Sequence, residues 1–107
     1  MALFRKSGLL ILEDANGNAA YYNKLDIDGI MIEYTTSEKH EGLDDFVPVV
    51  YLTLHSGVID EFSGSVTCRE ESAKMLVASI RRRLDVALAS HLDCSNTKIN
   101  IDRCSDE

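Results

Sequence analysis

The sequence predicts an α+β domain: an antiparallel sheet of about five strands, followed by one long C-terminal helix packed across it. Three observations carry that expectation. Up to about Val66, apolar residues recur with strand periodicity between turn signals. From about Arg69 to Leu92, one helical period takes over. The 107 residues, 45% of them hydrophobic, suffice for one core and leave no room for two, so residues 1–107 read as a single domain.

The first strand is expected at Gly8–Glu13, around the apolar run Leu9-Leu10-Ile11-Leu12. Asn16-Gly17 follows, the pair favoured in a type I′ hairpin turn, where both central residues take positive φ. Ala19–Asn23 then returns as the second strand, with Tyr21 and Tyr22 supplying β propensity. In the next run, Leu25–Thr36, Ile30, Ile32 and Tyr34 alternate with Met31, Glu33 and Thr35, and Asp28-Gly29 is placed to turn or bulge the chain. Residues 37–45 read as a polar loop. Phe46–Leu54 is apolar on both faces, with Pro48 tolerable near its start or on an edge. The helix covers one face, and sheet curvature or a second copy of the chain must cover the other, so a homodimer held through sheet or helix is expected. His55-Ser56-Gly57 turns the chain into a fifth strand, Val58–Phe62.

Thr67 and Glu70 stand at capping-box spacing, which sets the helix start. Ala73, Leu76, Val77, Ile80, Leu84, Ala87, Leu88 and His91 then form the core stripe of a helix over 67–92. Met75, Ala78, Val86 and Ala89 cluster on the opposite side around Arg82. These five are the candidate partner-binding residues, a surface for another protein or for a second copy of the chain. Residues 93–107 form a polar tail, in which the alternation of Lys98–Asp102 suggests a short extra strand.

Charge narrows the partners. The net charge is −7 and the pI about 4.8. A polyanion needs compensating Lys and Arg, so nucleic acid is not expected as a partner. The imbalance is regional: Glu13 to Glu61 holds eleven acids against Lys24 and Lys39, whereas the helix carries Lys74 and Arg81-Arg82-Arg83. At 100° per residue those three arginines fan around the helix rather than forming one flat patch. A phosphate or acidic-peptide site among them is a weaker reading. No run is long and apolar enough for a membrane span. Cys68, Cys94 and Cys104, odd in number and without a close pair, suit reduced thiols and a cytoplasmic setting.

No chemistry-bearing motif is complete. Asp14, Asn16 and Asn18 match the opening positions of a calcium loop, but Ala19 and Leu25 stand where its Gly and Glu belong. His91 and Cys94, with Cys104 and His40 or His55, offer one spaced pair where structural zinc brings two. Cys68 at the expected helix N-terminus is the candidate nucleophile, with no histidine placed beside it. The expected function is therefore a non-enzymatic interaction module without metal or cofactor. The alternative is a small enzyme or ligand-binding domain with a pocket between sheet and helix, served by Cys68 or His91.

The stretch Val58–Gly64, running into a helix that opens at Thr67, is similar in outline to the last strand and capping helix of pleckstrin-homology-like domains. That resemblance implies a partly open barrel. Sheet-plus-helix modules of the Whirly and PUR type resemble the element order equally well, but the nucleic-acid binding they imply is opposed by the charge. Neither resemblance assigns a functional residue.

Overall fold

The computed structural model describes residues 8–36, 45–89 and 95–103. The class is α+β, with two three-stranded sheets instead of one five-stranded sheet. In chain order the elements are β1 (Leu9–Glu13), β2 (Ala19–Asn23), a 3-10 turn (Lys24–Asp26), β3 (Ile27–Thr36), β4 (Phe46–Leu54), β5 (Ile59–Ser63), α1 (Glu70–Ala89) and β6 (Thr97–Asn100). The first sheet runs β2-β1-β6 and the second β3-β4-β5, and neither closes into a barrel.

The helix is not the last element. β6 follows it and pairs parallel to β1, Leu12 facing Ile99 and Glu13 facing Asn100. A parallel neighbour needs a long crossover, which the second sheet and α1 together supply. This departs from both resemblances, each of which ends on its helix. It also shortens the polar tail, because Ile99 and Ile101 are buried to 1% and 0% exposure.

Locally the strands follow their sequence signals. The β3–β4 register slips between Ile27 and Gly29, so the turn or bulge that Asp28-Gly29 suggests takes the form of an irregularity within the ladder. The β1–β2 hairpin differs from the Asn-Gly expectation. Gly17 alone has positive φ, at 90°, and no non-glycine residue does. The Asp14 N–H donates to the Asn18 carbonyl at 3.0 Å, and the Gly17 N–H to the Asp14 carbonyl. This is a turn ending on a left-handed glycine, and the β4–β5 hairpin repeats it over Leu54–Val58. Asp14 selects this form, because its carboxylate accepts the N–H groups of Asn16 and Asn18, each at 2.9 Å.

The capping box does not form. Cys68 exchanges backbone hydrogen bonds of 2.9 Å with Phe46, so it is extended and the helix opens after it. The Arg69 carbonyl takes the first helical bond, from the Ala73 N–H. Glu70 instead accepts the Tyr34 hydroxyl at 3.0 Å, which ties β3 to the helix start. The Tyr34 ring meets Phe46 edge-on at 5.7 Å.

One core joins the three layers. Leu10, Leu12, Ile99 and Ile101 from the first sheet meet Ile32, Val50 and Leu52 from the second and Leu76, Ile80, Leu84 and Ala87 from α1. Ala73 and Ser79 are also buried, and Val77 and Leu88 lie at the stripe's edge; His91 falls outside the described residues. Both faces of early β4 close within the chain: Val50 and Leu52 inward, Val47 and Val49 at 9% and 3% exposure outward. Tyr51 reaches diagonally across that outer face to Glu33, the residue opposite Val49, with an O–O distance of 3.0 Å.

Candidate functional site: the outer stripe of α1 and the groove beside β6

The core stripe of α1 is consumed by both sheets, which leaves the opposite stripe outward. Met75, Ala78, Arg82, Val86 and Ala89 are all exposed there, Met75 to 68% and Val86 to 76%. Their spacing of three and four residues keeps them on one line along the helix. All five predicted site residues are thus brought together on one surface.

The surface continues onto β6. A hollow of about 490 Å³ lies between the C-terminal half of α1 and β6, lined by Arg82, Val86, Ala87, Thr97 and Ile99 together with Arg83 and Lys98. A second hollow of about 280 Å³ adjoins it, lined by Glu13, Arg83, Lys98, Asn100 and Arg103. The first has an apolar floor; the second is polar. Arg83 and Lys98 belong to both.

Each of these side chains is placed by the fold. The Arg83 guanidinium donates to the Arg103 carbonyl at 2.6 Å, while its Nε is buried and, among the described residues, has no hydrogen-bond partner. Lys98 stands 3.9 Å from Glu13 across the β1–β6 pair and remains largely exposed. Residues 97–103 fall within the stretch 93–107 that reads as polar tail, so the share of β6 in this surface is not legible in the sequence. The only available signal is the Lys98–Asp102 alternation, which points to a strand but not to where it inserts.

The constellations considered for chemistry have other occupations. Asp14 accepts from the Ser65 hydroxyl and from Asn18 Nδ2 at 2.8 Å, besides its two backbone donors. The Ser65 hydroxyl, then the Asn18 amide, hold its carboxyl down at about 2 against an opposing effect of burial. With four donors on it, the Asp14 carboxylate is engaged as an acceptor in the turn. Asp102 accepts from the Ala15 N–H at 2.8 Å and from the N–H groups of Ser65 and Val66. The two aspartates therefore clasp the β1–β2 turn, the β5–α1 link and the end of β6.

The Cys68 thiol donates to the Phe46 carbonyl at 3.6 Å. That places it at one end of β4. His55 lies beyond the other end, about 27 Å away along the strand, paired with Asp28 at 3.5 Å. His40, His91, Cys94 and Cys104 lie outside the described residues. Among the described residues no three His, Cys, Asp or Glu side chains are grouped to hold a metal ion. The space between α1 and the second sheet is filled, with Ile32, Val50, Leu52, Leu76, Ile80 and Leu84 each at 6% exposure or less. A shallow hollow at its margin, of about 330 Å³, is lined by Ile27–Ile30, Asp85, Leu88 and Ala89 and holds neither Cys68 nor a histidine.

No family model, curated protein or solved structure matches this chain. No helix among the described residues is long and apolar enough to cross a membrane. Function has to be read from the surface itself.

Proposed function

We propose that this protein is a non-catalytic interaction module that receives a protein partner on the outer stripe of α1 and the adjoining groove. One observation carries the reading: Met75 and Val86, among the most exposed large apolar side chains of the described residues, share a stripe that opens into an apolar-floored hollow. Exposed apolar surface that is contiguous and rimmed by polar groups is the usual mark of an association site. The rim here is basic, which favours an acidic partner. A cytoplasmic setting, expected from the cysteines, belongs to the same proposal.

A second copy was expected to cover the sheet. The reason for that route weakens, since Val47 and Val49 are buried within one chain. Self-association through α1 is the remaining route, and it would set the basic stripes of two copies side by side, at an electrostatic cost.

The test uses the full chain. Proteins captured from the native host by the wild type should be lost when Met75→Asp and Val86→Asp are combined, and kept by Tyr21→Asp, which alters a separate exposed site on β2. Light scattering over a concentration series distinguishes the second copy: a mass doubling abolished by the α1 variant assigns the stripe to self-association. An unchanged captured set, together with an unchanged mass, would overturn the reading.

A further inference from the structure

Four of the chain's eleven basic residues, Arg82, Arg83, Lys98 and Arg103, line the two hollows beside β6, against the single acid Glu13. In a chain of net charge −7, this is a local inversion of sign. It coincides with an open sheet edge. β6 pairs with β1 on one side, and among the described residues no strand pairs on the other.

The parity of the ladder states which groups that edge presents. The Ile101 N–H donates to the Glu13 carbonyl at 2.9 Å, so the odd residues of β6 face β1. In a parallel pair the N–H and C=O of one residue point the same way, which turns those of Lys98 outward together with the Asn100 N–H. The Asn100 carbonyl is taken by the Arg103 N–H at 3.3 Å, which ends the edge there.

We infer that the β6 edge and its two hollows form a docking groove for an extended acidic segment of a partner protein, which adds to the first sheet as a fourth strand. The inference deepens the interaction reading and rests on it. Backbone bonds to Lys98 and Asn100 hold the segment. An apolar side chain fills the hollow over Val86, Ala87 and Ile99, and an acidic one reaches Arg83, Lys98 and Arg103. In strand addition the backbone supplies affinity and the pockets supply specificity. A lysine on an edge strand ordinarily repels casual pairing with other edges. An acidic segment turns that guard into an attraction, so Lys98 selects the partner as well as protecting the edge. A second copy is disfavoured, because β6 against β6 would bring Lys98 and Arg103 of both copies together.

The probe is a labelled peptide of about seven residues that alternates Glu or Asp with Val or Ile, a length suited to one strand. Fluorescence anisotropy with the full chain should show saturable binding that weakens as salt rises. Lys98→Glu and Arg103→Glu should each weaken it roughly tenfold, since an attractive pair becomes repulsive. Arg82→Glu on α1 gives an independent variant should either β6 change disturb folding, as checked by circular dichroism. Backbone N-methylation of the peptide should abolish binding, and amide exchange should slow at Lys98 and Asn100. Absence of binding at millimolar peptide, equal binding of a Lys-for-acid peptide, or equal binding after N-methylation would each overturn the inference. So would displacement of the peptide by millimolar inorganic phosphate alone, which would mark a small-anion site. If the peptide fails while the Met75/Val86 variant still loses its captured partner, this inference falls and the interaction reading stands. If the peptide binds while no captured partner depends on the stripe, Met75 and Val86 leave the interaction surface and the β6 groove alone carries it.

Discussion

At the scale of single residues, the best-determined positions are Asp14 and Asp102, each of which accepts from several donors at once. Asp14 has a folded pKa of about 2 against an ordinary 3.8, so its charged form favours the native state. A depressed carboxyl contributes stability that is present above its unfolded pKa and is lost as pH falls through the folded one. Wild-type stability should therefore decline from about pH 4 toward pH 2 through this group. Asp14→Asn should be less stable than wild type at pH 7, with the gap closing by pH 2; urea denaturation across that range measures it. Asp102→Ala strips an acceptor from the N–H groups of Ala15, Ser65 and Val66. A loss of about 1 kcal/mol is expected, the net worth of such a hydrogen bond, because these exposed donors can turn to water instead. Hydroxyls that donate to carboxylates act the other way on tyrosine. Glu70 raises the Tyr34 pKa and Glu33 raises that of Tyr51, each chiefly through its hydrogen bond.

At the scale of elements, α1 separates stability from association on two sides of one rod. Leu84 is fully buried and Val86, two residues on, is 76% exposed. Leu84→Ala should cost about 2–5 kcal/mol, the range for emptying a core site. Val86→Asp should change stability by no more than about 0.5 kcal/mol, as surface substitutions do, while impairing partner capture. Thermal melts of both variants beside the capture assay check the separation. Much of α1 was legible in advance because a helical period of apolar residues admits one burial solution. Its start was misplaced because Cys68 serves the sheet through Phe46, a long-range bond that no local capping signal reveals.

For the whole molecule, the decisive feature is that the last strand is parallel to the first and lies beside it. β6 contributes Ile99, with Ile101 just beyond it, to a core already holding Leu10 and Leu12. A chain ending before Thr97 should lose cooperative folding, since β1 would keep only β2 and the core would lose two full isoleucines. The expected observations are a broadened thermal transition and loss of near-ultraviolet dichroism. A truncated chain that melted as sharply as wild type would show that β6 is an accessory.

What the sequence determined by itself was local. Apolar runs and alternation located β1 to β5 within two residues, Asp28-Gly29 marked the site of a turn or bulge, and the helical period sorted the core stripe from the outer five residues. These are properties of neighbours in the chain, and side-chain period and turn chemistry act at that range. Only the tertiary structure decided how the strands divide between two sheets, that neither sheet closes, and that residues 97–103 join the site. Sheet membership depends on backbone hydrogen bonds between distant segments. Any strand can offer such bonds, so side-chain pattern alone does not choose among partners. The same holds for the basic groove: Arg82 and Arg83 were visible as a fan of charge, but Lys98 and Arg103 reach them only because β6 returns to lie beside β1.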